Sequence, residues 1–431
     1  METYGFILHF WLKVFSKNIA NMNIQDDTDT NTSQQLGALM PRKETAQQNC
    51  FSETEPQPAK NPNLRAPHFS FKPVFFNSIS AGEIMDRHGG AGPGFDTLRI
   101  VLSLMILVYH AKQIVLGRHA DNYPEVIIPL TLALVPIFFC LSGFLVTGSA
   151  LRTRSVRLFL TNRSLRIFPA LTVEVILSAL VLGPIITAAN LGEYFSDKTF
   201  FSYFGNIVGR VRMYLPGVFL DNPVPATVNQ SLWTLQPEFY CYLLMTAMMV
   251  STLVYRRTHL TILYILLTVG LSLLSLRTGF GSPTDVFPGY VIVYYFVAGV
   301  VAFHWNRFIP INFPLFLIAT GSAYVTVTAP GMMFLASIPI AYCTVYLGML
   351  NLPLTYPFNK GDYSYGIYLF NFPIQQTIVH FLPNIRNWWL ILLISIPLTI
   401  LCAALSWRWI EKPSLKLKHR FSGGSRTGAK P

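Results

Sequence analysis

The stretch Phe95–Leu116, FDTLRIVLSLMILVYHAKQIVL, is long and apolar enough to cross a bilayer as one helix, yet it carries an arginine and a histidine. In lipid, every backbone polar group has to be satisfied inside the structure, so a chain organised around such a stretch is expected to fold as a helical bundle. Arg99 and His110 are eleven positions apart. At ~100° and about 1.5 Å per residue, that spacing is roughly 20° past three turns and about 16 Å along the axis, so both side chains share one face. Tyr109 adjoins the histidine, and Asp96 sits one turn before Arg99, where i,i+3 neighbours pair. Ionisable groups are costly at membrane depth and face a polar cavity or the bundle interior, which makes this face a candidate site. The competing reading makes Arg99 a snorkelling boundary residue and His110 a hydrogen-bonded interface histidine.

Composition agrees with a membrane setting. Of 431 residues, 52% are hydrophobic and 12% charged, against about 25% charged in a soluble domain. The formal charge of +12 does not point to nucleic acid. The basic residues lie between apolar runs, with no nucleic-acid motif, and read as topology signals and contacts to anionic headgroups. Cys50, Cys140, Cys241, Cys343 and Cys402 are scattered singly, with no C-x-x-C pair and no Cys/His spacing suited to zinc. They are expected to be structural thiols, and no metal site is expected.

Residues 1–90 begin with a short apolar segment, Phe6–Phe15, too short to span and without an A-x-A-like cleavage site, so a signal peptide is rejected. From Lys17 to Gly94 the chain is rich in Asn, Gln, Thr, Ser and Pro and lacks sustained periodicity, the mark of a largely disordered tail. Ten spans follow, at 95–116, 126–149, 167–188, 231–254, 259–276, 287–305, 311–329, 331–350, 363–383 and 388–410, with the tightest turn at Ala329-Pro330-Gly331. The organisation is thus a 1–90 tail, a 91–411 membrane domain and a basic 412–431 tail.

Loop charges orient the bundle. One side carries Arg152, Arg154, Arg157, Arg163, Arg166, Arg256, Arg257, Arg307 and Lys360, joined by the lysines and arginines of the C-terminal tail. The other carries only Lys112, Arg118, Lys198, Arg210, Arg212, Arg277 and Arg386. The positive-inside rule then puts both termini in the cytoplasm, with Arg99 near the cytoplasmic end of the first span and His110 deeper. The expected fold class is an all-α integral membrane protein of about ten transmembrane helices.

Other segments add candidate chemistry. In Val135–Ser149, Ser142, Gly143 and Gly148 form a small-residue face suited to close helix packing; Ser142 is also a conceivable nucleophile, but no base is paired with it in sequence. Arg163 and Arg166, spaced i,i+3 at the mouth of the third span, suit a clamp on a phosphorylated cofactor, while positive-inside anchoring explains them equally well. No Walker-type or dinucleotide glycine fingerprint accompanies them, which speaks against nucleotide hydrolysis and hydride transfer. In Asn229–Tyr242, Trp233, Gln236, Glu238 and Tyr240 combine aromatic surface with hydrogen-bonding groups suited to a sugar; an interfacial aromatic belt also explains Trp233 and Tyr240. Glu238 needs a partner, expected to be His110 or an arginine, and Glu174 raises the same question. Gly361–Gln376 and Ser406–Pro413 read as mainly structural, with Glu411 and Lys412 a helix terminator and headgroup anchor.

In order, D-x-L-R with the Arg99/His110 pair, FFxLSGF (Phe138–Phe144), R-x-x-R-I-x-P (Arg163–Pro169), SLWTL-x-x-E (Ser231–Glu238), SYGIYL (Ser364–Leu369) and the closing SWRWIEKP resemble the membrane-bound acyltransferase family 3, the bacterial polysaccharide O-acyltransferases. The resemblance covers about residues 91–418. It implies a ten-helix bundle in the bacterial inner membrane that moves an acyl group, most often acetyl, from acyl-CoA to a hydroxyl of a polysaccharide or lipid-linked sugar precursor. It implies His110 as general base, Arg99 as a donor-binding or electrostatic residue, and Glu238 as orienting the histidine or binding the acceptor; Arg163 and Arg166 are expected as donor contacts from their charge and position. Trp233, Tyr109 and Asp96 are then expected at the acceptor. No tightly bound cofactor is implied, and the partners are acyl-CoA, the sugar acceptor, membrane lipids and polysaccharide-synthesis proteins. The chain departs from the pattern twice. Many members carry a histidine after SYxxYL, where this chain has Phe370 and Asn371; some carry a soluble hydrolase-like domain after the last span, so here the reaction is expected to occur in the membrane domain or be finished by a partner. The competing class is a multi-pass transporter or flippase of lipid-linked sugars, against which no internal repeat and no matched pair of interrupted helices is found.

Overall fold

The computed structural model describes residues 79–117, 125–280, 288–352, 354, 358–384 and 387–418, and among them the chain is helical, with no strand. The apolar start at Phe6–Phe15, most of the N-terminal tail, Cys50 and the end of the basic tail lie outside the described residues.

In chain order the helices are α1 (Ala81–Arg87), α2 (Phe95–Leu116), α3 (Ile128–Thr153), α4 (Val156–Leu177), α5 (Leu191–Ser196), α6 (Lys198–Tyr203), α7 (Leu235–Val250), α8 (Arg257–Thr278), α9 (Gly289–His304), α10 (Phe313–Thr328), α11 (Ser337–Met349), α12 (Ser364–Phe381) and α13 (Trp388–Ser406). A π-turn at Ser178–Leu182 carries α4 on to Ile186, and another at Trp407–Glu411 carries α13 on to Lys416. Among the described residues, five helical segments are long and apolar enough to cross a membrane: Phe95–Leu116, Ile128–Thr153, Val156–Ile186, Arg257–Thr278 and Trp388–Lys416. α9, α10 and α11 are apolar but shorter. All ten predicted segments contain a helix, and α2 has the predicted bounds.

Three boundaries differ from expectation. The predicted loop 150–166 is almost entirely helix: α3 runs to Thr153 and α4 starts at Val156, with the Ser155 side chain accepting from Leu158 N at 3.4 Å as its N-cap. Arginine is a good helix former, so a cluster of arginines does not interrupt α4. The segment predicted from 331 becomes helical only at Ser337, because Gly331 adopts φ +75° and the following residues turn inward, burying Met333 and Phe334. Residues 79–90 are ordered, not tail. Ser80 and Glu83 form a reciprocal capping box that starts α1, a pattern visible in the sequence as S-x-x-E. Ile311 N donates to Ile79 O and Ala81 N to Ile309 O, which docks α1 on the α9–α10 connection.

Two contacts set the frame of the bundle. α3 and α9 cross at Gly143 and Gly299, where an added Cβ would come 2.0 Å from Phe296 O and 2.0 Å from Cys140 O respectively. The small-residue face read from the sequence is therefore a backbone-to-backbone contact. α2 and α12 run parallel: Ser103 Oγ donates to Ser364 O (3.0 Å), and His110 meets Asn371 with the same sequence offset of 261. The pairs are one heptad apart on both helices, so a single seam carries both.

Candidate active site

A cavity of about 100 Å³ lies between α2, α3, α4, α7 and α12. Arg99 and Ile106 from α2, Arg163 and Arg166 from α4, Glu238 and Tyr242 from α7, and Ser142 from α3 stand on its wall, with Ser231 and Thr234 from the turn before α7 and Ser364, Tyr365, Tyr368 and Leu369 from α12. Because α4 begins at Val156, Arg163 and Arg166 lie two and three turns inside it, not in a loop. That places both guanidiniums among packed helices.

The two differ in what holds them. Arg166 is engaged on both sides: Nη2 donates to Asp362 Oδ2 at 2.5 Å, and Nη1 lies 3.7 Å from Glu411 Oε2. Arg99 joins the same network, 3.5 Å from Asp362 and 3.4 Å from Asp96. Burial alone pushes the Asp362 carboxyl up, but the adjoining Arg166 and Arg99 guanidiniums outweigh it and hold the group below the usual carboxylate range. Arg163, by contrast, donates to Ser149 Oγ at 3.4 Å and lies 6.0 Å over the Phe159 ring, and its buried Nε has no hydrogen-bond partner among the described residues. A half-buried guanidinium with an unused donor on a cavity wall suits an anionic ligand.

Glu238 has a partner other than those expected. Its Oε1 accepts from Tyr242 Oη at 2.6 Å, one turn along α7, and not from His110. Glu174 is 1% exposed and accepts from Ser178 Oγ (3.0 Å) and Asn229 Nδ2 (2.8 Å), with no ion pair among the described residues. Asn229 Nδ2 also donates to Leu369 O at 3.0 Å, tying this cluster to α12.

His110 lies behind the cavity wall, one turn beyond Ile106. It is buried, its Nδ1 is 2.7 Å from Asn371 Oδ1, and its ring meets Phe372 edge-on at 5.1 Å. Among the other predicted residues, Tyr109 packs beside His110 with ring centroids 5.8 Å apart. Asp96 is largely exposed next to Arg99, and Trp233 is half-buried against the core; neither stands on the cavity wall. The structure therefore gathers Arg99, Arg163, Arg166 and Glu238 around one cavity, places His110 and Tyr109 deeper along α2, and leaves Asp96 and Trp233 at its margins.

From the sequence, Asp362 is not singled out, Asn371 is noted only as a departure from the family pattern, and Glu411 is given no part in the site. Asp362 lies two residues before Ser364 in a segment read as structural, and Glu411 was read as a helix terminator. Glu411 is 1% exposed because the π-turn at Trp407–Glu411 rotates it inward, where Ser406 Oγ donates to it at 3.0 Å. A local change of helical pitch leaves no trace in hydrophobic periodicity.

Residues 93–408 match the acyltransferase domain model of the acyltransferase 3 family. An O-acetyl transferase of Shigella phage Sf6 is 28% identical over 341 residues, covering 74% of this chain and 94% of that protein. Nodulation protein 10 of Rhizobium leguminosarum bv. viciae is 26% identical over 364 residues, covering 78% of this chain and 97% of that protein. No solved structure matches the chain. With most of its length matched in this way, the chain belongs to the acyltransferase 3 family and is an O-acyltransferase.

Proposed function

We propose that this enzyme is a multi-pass protein of the bacterial inner membrane that moves an acetyl group from acetyl-CoA to a hydroxyl of a polysaccharide or its lipid-linked precursor. All ten predicted spans of the 91–411 domain cross the membrane in this reading, and both termini are cytoplasmic. The observation that carries it is the convergence of Arg99, Arg163 and Arg166 on one intramembrane cavity whose wall bears a single carboxylate, Glu238. Such a cavity attracts an anionic, phosphate-bearing donor. The volume of about 100 Å³ suits a short acyl group.

In the chemistry that follows, Arg163 binds the donor's phosphates through its unused donor, and Arg99, about 16 Å along α2 from His110, helps hold the anionic end of the donor away from the reacting carbonyl. A sugar hydroxyl is a weak nucleophile until a neutral imidazole takes its proton, and His110 takes it. The hydroxyl oxygen bonds to the carbonyl carbon, the carbon–sulfur bond breaks, and the proton passes from His110 to the departing thiolate. Glu238, with Tyr109 beside His110 and Trp233 at the cavity margin, contacts the acceptor, and Asp96 lies too far along α2 to reach the same hydroxyl.

The test is transfer of radiolabelled acetyl from acetyl-CoA to glycan in membrane vesicles prepared with the cytoplasmic face outward. Label is expected in the glycan with wild-type protein and not with His110→Gln at equal protein level. Equal labelling by the two would remove His110 from the chemistry, and labelling only in vesicles of the opposite orientation would overturn the cytoplasmic donor.

A further inference from the structure

An imidazole accepts a proton only at the ring nitrogen that carries none, so a histidine base needs a fixed tautomer. The structure holds His110 by one amide. Its Nδ1 lies 2.7 Å from Oδ1 of Asn371, and both residues are buried, His110 at 4% exposure and Asn371 at 0%. The two ends of that amide are distinguished by their other neighbours. Asn371 Nδ2 donates to Ile367 O at 2.9 Å and to Tyr368 O at 2.6 Å, carbonyls of its own helix that can only accept. Turning the amide over would set its oxygen against two carbonyl oxygens with no hydrogen between them and lose both side-chain hydrogen bonds. The oxygen therefore faces the ring, and because it can only accept, His110 Nδ1 has to carry the hydrogen. The lone pair then sits on Nε2.

Position along the helices reinforces this pairing. The Ser103–Ser364 hydrogen bond, one heptad earlier on both α2 and α12, fixes the register that puts residue 371 opposite residue 110. Phe372, edge-on to the imidazole at 86°, limits its tilt. A side chain one residue away on α12 would lie ~100° around the helix and miss the seam.

We propose that Asn371 is a positioning residue that holds His110 in the Nδ1–H tautomer, leaving Nε2 as the atom that takes the proton from the acceptor hydroxyl. This rests on His110 as the base.

The test reads the tautomer apart from the activity. Membrane-embedded enzyme labelled with ¹⁵N-histidine is compared by NMR with unlabelled background and with His110→Gln, which identifies the His110 signals. Wild type is expected to show a protonated Nδ1 and a bare Nε2. Asn371→Leu, close in volume but unable to accept, is expected to redistribute the signals toward the Nε2–H form. It is also expected to lower kcat at least about tenfold, with the donor KM within about twofold. If Asn371→Leu does not accumulate, Asn371→Ala is read in the same way. A wild-type spectrum dominated by the Nε2–H form overturns the proposal. So does an Asn371 variant whose tautomer and kcat are both unchanged. If the tautomer follows Asn371 as expected while His110→Gln retains full transfer, the positioning stands and His110 as base falls.

Discussion

Arg163 and Arg166 are three residues apart on one helix and share one cavity, yet their surroundings assign them different work. Arg166 is held between Asp362 and Glu411, whereas Arg163 Nε is buried with no hydrogen-bond partner among the described residues. Arg163→Ala is expected to raise the KM for the acyl donor about 10- to 100-fold, the loss of one charge-assisted hydrogen bond, with little change in melting temperature. Arg166→Ala is expected to lower the melting temperature more than it changes KM, because it strands two carboxylates. Donor titrations and thermal melts of the purified pair separate the two roles. Asp362 brings a pH dependence. Its carboxyl is held below its unfolded value of about 3.9 by the two guanidiniums, so the stability it contributes is fully present above pH ~4 and is lost as pH falls through the lower folded value. At about a quarter exposed, the group is worth less than a fully buried pair. Asp362→Asn is expected to cost about 1–3 kcal/mol at neutral pH and to flatten the acid limb of a plot of melting temperature against pH. None of this division was legible beforehand. The sequence shows two equivalent arginines, and what distinguishes them comes from carboxylates 196 and 245 positions away.

At the level of helices, the sequence was most informative where one spacing served one contact. The Arg99/His110 spacing placed both on one side of α2, and the small residues of Phe138–Phe144 placed α3 against a neighbour, although not which one. The partner is α9, whose Gly299 meets the Cys140 carbonyl while Gly143 meets Phe296. Gly299→Val is expected to destabilise by about 1–3 kcal/mol through overpacking at a crossing with no room for a side chain. Gly270 in α8 is the control: an added Cβ there meets nothing within 4 Å, so Gly270→Ala is expected to be neutral or stabilising by up to about 1 kcal/mol. Thermal melts of the two variants in one detergent compare them directly. The α2–α12 seam had no signature of its own, because its partners are 261 positions apart. Only folding shows that Asn371 stands opposite His110.

For the whole molecule, the apolar character and helical class followed from composition and run length, and each predicted segment holds a helix. Two of the three boundary differences come from reading charged or polar composition as loop, whereas arginine-rich turns extend α4 and the capping box at Ser80–Glu83 starts α1; the third, before α11, comes from the turn at Gly331. An enzyme and a transporter built from the same helices would both bury Arg99 and His110, and they part only in what happens to the sugar. The decisive measurement is the mass of the surface polysaccharide from a deletion strain carrying wild type or His110→Ala, with equal membrane accumulation of both proteins. An O-acyltransferase using His110 predicts that deletion removes one acyl mass from each modified repeat and that only wild type restores it. Full restoration by His110→Ala, or failure of sugar export with unchanged acylation of the intracellular precursor, would contradict it.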